Sequence, residues 1–261
     1  MMRSLSTAAT GMEGQQAKID IVAHNLANVN TSGFRKARAD FEDLLYETIK
    51  APGTLASQGR EIPVGIQIGH GSRLVATQVI FSPGALRQTD NPLDLAIEGN
   101  GFFQVSLPDG RTAYTRAGAF KTDSQGQITT ADANLLEPAI TIPPDATKIT
   151  VGKDGTVSVL LAGQTQATQL GRIQIASFSN PAGLERTGHN LYMETAASGQ
   201  ARVGTPGEND LGALSQGVLE MSNVKVVEEM IDLIVAQRAY EANSRVIKAA
   251  DDMLRATANL R

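Results

Sequence analysis

The sequence predicts an α+β protein: long N- and C-terminal helices forming a coiled-coil-like pair, a central all-β domain and an extended β arm. Three observations carry that prediction. Apolar residues recur at three- and four-residue steps near both ends of the 261-residue chain. Short alternating segments bounded by Gly, Pro, Asn and Asp fill the middle. Between the first helix and that middle lies a Gly/Pro-rich stretch with no helical period. The expected plan is a discontinuous helical core of residues 1–33 and 220–261, a linker and arm over 34–71, and a β-rich domain over 72–219.

Helix one is expected over residues 4–29, with Ser4 or Ser6 as N-cap. Its stripe is Leu5, Ala8, Met12, Ile19, Val22, Leu26 and Val29, with Gln15 in one polar slot. Gly11 and Gly14 lie inside it, each costing about 1 kcal/mol relative to Ala. They signal either a weak helix or close approach of a neighbouring backbone. Asn28-Val29-Asn30-Thr31-Ser32-Gly33 stops the helix with turn-forming residues.

In residues 34–50, Phe41, Leu44, Leu45 and Ile49 suggest a short helical face. Pro52, Gly53, Gly59, Pro63 and Gly65 mark the arm, which reads as an extended segment or long hairpin. Strands are expected at 74–81, 93–97, 102–105, 114–120, 127–130, 149–151, 157–160 and 173–178. Pro108-Asp109-Gly110 and Lys153-Asp154-Gly155 are hairpin signals.

Helix two is expected over 224–260, opened by Ser222-Asn223 as a capping pair. It carries two apolar seams. One is Val226, Met230, Leu233, Tyr240, Ile247 and Leu254; the other is Val235, Ala239, Ala242, Val246, Ala249, Met253, Ala256 and Leu260. Glu228 and Glu229 near its start and Arg245, Lys248 and Arg255 toward its end suit the helix dipole. At 1.5 Å per residue the helices span about 39 Å and about 55 Å. Two helices cannot bury both seams. The spare surface therefore predicts self-association, with the β-domain as the other possible cover. The candidate interface residues are Leu5, Met12, Ile19, Val22, Leu26, Val226, Met230, Leu233, Tyr240, Val246, Ile247, Met253 and Leu254.

Composition limits the function. Net charge is −4, without the basic footprint of a nucleic-acid binder. The absence of cysteine removes disulfides, thiolate nucleophiles and cysteine metal sites. No continuous apolar segment predicts a cleaved secretory signal or a transmembrane helix. His24, His70 and His189 lack metal-ligand spacing, so neither metal nor cofactor is expected. The 65–72 stretch lacks the lysine of a phosphate loop, and Gly99-Asn100-Gly101 lacks a third glycine, reading instead as a tight turn before two buried phenylalanines. Glu98, Asp109, Asp123 and Asp154 fall in or beside turns, and no serine sits in a nucleophile elbow. No enzyme is predicted. A carbohydrate- or peptidoglycan-acting enzyme and a monomeric adhesin remain the alternatives from other classes.

Three stretches carry a resemblance. The first is Ala23-His24-Asn25-Leu26-Ala27-Asn28-Val29-Asn30-Thr31-Ser32-Gly33-Phe34-Arg35. The second is residues 91–105, ending Glu98-Gly99-Asn100-Gly101-Phe102-Phe103-Gln104-Val105, with Tyr114-Thr115-Arg116-Ala117-Gly118 after it. The third is Ser222-Asn223-Val224 with Ala236-Gln237-Arg238-Ala239-Tyr240-Glu241-Ala242-Asn243-Ser244. They resemble the axial proteins (rod and hook) of the bacterial flagellum across essentially the whole chain. Length and arm resemble the distal-rod branch; a proximal-rod or hook-type subunit is the nearer alternative. Asn28, Asn30, Thr31, Gly33, Phe34, Asn223, Gln237, Arg238 and Tyr240 match the family motifs.

The resemblance implies a helical homopolymer and rigid hollow drive shaft. Its terminal helices would surround an export channel, its arm would brace neighbours, and its β-domain would face the ring bushing. The implied partners are other copies, proximal rod proteins, the hook protein, the rod cap protein, the P- and L-rings and the flagellar type III export apparatus. The implied place is the basal body, from periplasm to outer membrane, reached without a cleaved signal.

Overall fold

Near both ends, where apolar residues step by three and four, the chain is helical, and through the middle, where they alternate between turns, it is extended. A computed structural model describes residues 2–52, 64–164 and 166–258. The elements begin with α1 (Met2–Ala27), β1 (Ala37–Asp43), β2 (Tyr46–Lys50), β3 (Ile66–Gly69) and β4 (Ser72–Val79), and the chain ends in α2 (Val226–Ala258). It divides into two compact units. One joins residues 1–27, 37–79 and 225–261; the other joins 28–36 and 80–224.

In the helical unit, β1 pairs antiparallel with β4 from Ala37–Val79 to Asp43–Ser72, with a bulge at Asp40/Phe41. β2 pairs antiparallel with β3, Tyr46 opposite Gly69 and Lys50 opposite Ile66. The Leu44 amide donates to the Gly71 carbonyl at 2.8 Å, so the two ladders join into one long ribbon. Its stem matches the expected hairpin; Gly53, Gly59 and Pro63 lie outside the described residues. Gly65 is closely approached, since a Cβ there would sit 2.5 Å from the Lys50 carbonyl oxygen.

The short helical face expected from Phe41, Leu44, Leu45 and Ile49 is absent. Phe41 and Ile49 lie in strands β1 and β2 and Leu44–Leu45 in the link between them. A four-residue apolar spacing cannot register a strand partner some thirty residues away, and the ladder decided the conformation. α1 begins at Met2, ahead of both proposed serine caps. Nor is Asn223 a cap for α2: its side chain is bound elsewhere, as described below.

The helices run antiparallel: Lys18 Nζ donates to Asp232 at 3.1 Å, Asn25 meets Glu229, and Gly11 faces Asn243. They are not, however, the expected coiled-coil-like pair. The covered line of α2 is Glu229, Ala236, Asn243 and Ala250, flanked by half-buried Leu233, Ile247 and Leu254. Polar and small side chains thus hold positions where a coiled coil inserts apolar knobs. A Cβ on Gly11 would stand 2.7 Å from the Asn243 amide nitrogen, so a close approach explains that glycine. The α+β class itself stands. Counting apolar residues failed here because the greasiest seam of α2 is not its covered face.

The second unit is antiparallel β. Its main sheet has nine strands, with Phe102–Ser106 in the middle, hydrogen-bonded to Thr112–Thr115, Leu135–Glu137 and Ile175–Ser177. That strand is buried on both faces. Phe103 packs edge-to-face on Phe120 at 5.1 Å within an aliphatic core that includes Leu95, Ile97, Val157, Ile173 and Ile175. Phe102 faces the other way, among Tyr114, Phe178 and Tyr192. The expected hairpins form at Pro108-Asp109-Gly110 and Lys153-Asp154-Gly155, joining Phe102–Ser106 to Thr112–Thr115 and Ala146–Val151 to Thr156–Leu161.

Candidate functional site

Asp109, Asp123 and Asp154 serve their own turns. Asp123 Oδ1 accepts the amides of Gln125 and Gln127 at 2.8 Å, and Asp154 accepts the Thr156 amide and hydroxyl. Those Thr156 bonds, and to a lesser degree Arg172, hold the Asp154 carboxyl below its ordinary pKa. No cluster of three metal-ligating side chains occurs among the described residues, and none of their helices is long and apolar enough to cross a membrane.

The unexplained surface is apolar. Val227, Met230, Ile231 and Ile234 lie on α2 at i, i+3, i+4 and i+7 and are 50–70% exposed. On a helix this spacing is one continuous stripe. It lies opposite the line Glu229, Ala236, Asn243, so α1 cannot cover it. Val226, Val235, Tyr240, Val246 and Met253 are also exposed, while Gln237 and Arg238 point to the same open surroundings. The ribbon adds a second apolar surface in Leu45, Tyr46, Ile49, Ile66 and Ile68.

Most of the interface candidates on α1 are, by contrast, half-buried: Leu5, Met12, Ile19 and Leu26, with Val22 fully buried. On α2, Leu233, Ile247 and Leu254 are half-buried too. The seams drawn from the sequence passed over Val227, Ile231 and Ile234. The signal was present in their spacing, but following a heptad through Val226 and Leu233 hid it.

Polar motif residues pin the chain. Buried Asn25 donates to the Ala37 carbonyl at 2.9 Å and to Glu229 Oε2 at 3.1 Å, and accepts the Ala37 amide at 2.9 Å. It thereby ties α1, β1 and α2 together. Asn223 accepts the Lys36 amide at 2.8 Å and donates to the carbonyls of Ile80 and Ser82. Thr31 bonds Asn28 in the turn after α1, where Asn30 is exposed. Phe34 is buried beneath the Arg186 guanidinium, 5.7 Å from its ring centre.

Gly33 has φ 72° and donates its amide to the Glu220 carbonyl; a Cβ there would lie 2.5 Å from the Ala117 nitrogen. Only glycine fits that left-handed, crowded position.

Beside it sits a buried charge cluster. Glu220 Oε1 accepts from Arg35 Nη2 at 2.7 Å and from the Gly84 amide at 2.9 Å, and Oε2 accepts from Arg116 Nε at 2.7 Å. Burial alone would raise the Glu220 pKa, but the charges of Arg116 and Arg35 and the hydrogen bonds hold it below the ordinary carboxylate value. Arg116 also donates to the carbonyls of Ile97, Gly99 and Gly101, which fixes the positive-φ turn ahead of the phenylalanine pair. The cluster joins Arg35 of the first motif stretch and Arg116 of the second to Glu220, two residues before the third. Its groups are committed to structure rather than to chemistry.

Three family profiles match in chain order: "Flagella basal body rod protein" over residues 5–35, "Flagellar hook protein FlgE/F/G D1 domain" over 96–159, and "Flagellar basal body rod FlgEFG protein C-terminal" over 215–260. Among curated relatives, the flagellar basal-body rod protein FlgG of Caulobacter vibrioides is 51% identical over 261 residues, covering all of both chains. That of Borreliella burgdorferi is 48% identical over all of this chain and 99% of its own. The Bacillus subtilis protein of the same name is 42% identical over the whole of both chains.

Proposed function

The chain belongs to the flagellar basal-body rod protein family, as a structural subunit of the distal-rod type in the basal body, and from that premise we propose how it assembles and works. Copies stack by a heterologous contact that repeats along a helix without closing. Helices of neighbouring copies cover the open stripe of α2, and the helices of many copies surround a central channel through which export proceeds. The arm expected over residues 46–71 from Pro52, Gly53, Gly59, Pro63 and Gly65, whose described stem is β2 with β3, braces adjacent copies and stiffens the shaft that passes torque to the hook.

The observation that carries this reading is the stripe Val227, Met230, Ile231, Ile234. Burying the exposed half of four such side chains contributes roughly 3–6 kcal/mol per copy. Bringing two proteins together costs an estimated 4–15 kcal/mol or so. The stripe alone therefore gives a weak pair; the ribbon surface and repetition along a polymer supply the remainder. A free copy is expected to gain helix on assembly, since the open stripe of α2, which α1 does not cover, then finds its cover.

The partners under this reading are other copies, the proximal rod proteins, the hook protein, the rod cap protein, the P- and L-ring bushing and the flagellar type III export apparatus, with the shaft running from periplasm to outer membrane. It requires no catalytic step, cofactor or metal.

Electron microscopy and far-ultraviolet circular dichroism of the purified protein test the proposal together. Straight tubes whose formation raises helix content support it. A protein that stays monomeric and fully helical when concentrated contradicts it.

A further inference from the structure

α2 turns the less apolar of its two faces to α1. Glu229, Ala236, Asn243 and Ala250 are covered, whereas Val227, Met230, Ile231 and Ile234 on the opposite side stay open. Burial of apolar area alone would favour the reverse, because the stripe offers four large side chains where the covered line offers two alanines. Something other than area sets the facing.

α1 supplies it. Gly11, Lys18 and Asn25 are seven residues apart and lie on one line of that helix. Each meets a match on α2. Gly11 leaves the space beside the Asn243 amide, Lys18 Nζ donates to Asp232, and Asn25 Nδ2 donates to Glu229 Oε2. The lysine pair is partly exposed and contributes little by itself. The other two matches are more demanding. Asn25 is 2% exposed; its oxygen accepts the Ala37 amide and its nitrogen donates to the Ala37 carbonyl, which leaves one amide hydrogen for Glu229, itself buried. Turning α2 half a turn about its axis would set aliphatic side chains against Asn25 and strand that hydrogen, and a buried donor without a partner is costly. The same turn would take Asn243 away from the space at Gly11.

We propose that the Asn25–Glu229 and Gly11–Asn243 contacts select which face α2 presents to α1, and so keep the apolar stripe out of the chain's own helix packing. Glu229 and Asn243 are positioning residues: they choose the facing more than they hold the helices together. The claim concerns the isolated chain and does not depend on what later covers the stripe.

The chain contains no cysteine, so single thiols report the facing. Ala236→Cys places one on the covered line and Ile234→Cys places one on the stripe. In the full-length monomer, kept too dilute to polymerise, maleimide should label position 234 at least about tenfold faster than position 236. Adding Glu229→Ala with Asn243→Ala to each reporter removes both matches and keeps strong helix formers. The Asn25 hydrogen then lacks Glu229 in either facing, and apolar area decides. The order of labelling should invert. Glu229→Gln alone retains an oxygen that accepts from Asn25 and should keep the natural order. An unchanged order in the double-alanine chains would overturn the proposal, as would inversion by Glu229→Gln. Fast labelling at both positions would overturn it too, by showing that these contacts hold the helices together rather than choose the face.

Discussion

The two units use their aromatic residues in opposite ways. In the β unit, Phe34, Phe102, Phe103, Phe120, Phe178, Tyr114 and Tyr192 are buried and Phe81 is half-buried. In the helical unit, Phe41, Tyr46 and Tyr240 are all at least 39% exposed. A single copy completes the core of the first unit. It leaves the second with apolar surface on α2 and on the ribbon. Large exposed apolar patches on a folded chain mark surfaces that meet something else. Under the proposed assembly, the contrast separates residues that make the subunit from residues that join one copy to the next.

Substitutions that respect this division should have separable effects. The largest is expected from Ile231→Asp, which places a charge in the centre of the open stripe. It should abolish tubes in sedimentation assays while changing monomer stability by less than about 0.5 kcal/mol. If the monomer unfolded instead, the stripe would belong to the subunit's own core.

Next, Glu220→Ala leaves Arg35 and Arg116 buried without their carboxylate. A loss of about 3–5 kcal/mol is expected in urea denaturation. A loss below 1 kcal/mol or so would show that the cluster is better hydrated than its burial indicates.

Gly33→Ala should cost about 1–2 kcal/mol from the left-handed backbone alone, with the clash at Ala117 adding to it. Neither Glu220→Ala nor Gly33→Ala touches the open stripe, so whatever folded protein remains should still polymerise.

The smallest effect is the pH dependence of Glu220. Its folded pKa lies below the unfolded value of 4.5. Its contribution is therefore complete above about pH 4.5 and disappears as pH falls through the lower folded value. Denaturation midpoints measured from pH 6 down to pH 3, or thereabouts, should show an acid-side loss in the natural chain that Glu220→Gln lacks.

Much of this was legible before any coordinates. Both helices, the two hairpin turns and the Gly99–Gly101 turn follow from local spacing and turn chemistry. Long-range pairing was less legible. The antiparallel ladder of β1 with β4 converted an apparent helical face into strand, and Asn223 left its capping position to bind Lys36, Ile80 and Ser82. The site was half legible. Periodicity announced that α2 carries more apolar surface than one partner helix can cover. It did not say which side faced α1, because Ala236, Asn243 and Ala250 are quiet on any hydrophobicity count and yet fill the contact. Nor could it reveal the Arg35–Glu220–Arg116 cluster, whose members lie far apart in the chain.

The stripe can be probed directly because the chain contains no cysteine. Ile231→Cys creates a single thiol at its centre. Maleimide labelling should be fast in the monomer and strongly suppressed in tubes assembled from the same variant. Equal labelling in both states would mean that the stripe stays open in the polymer, and that neighbouring copies do not cover it.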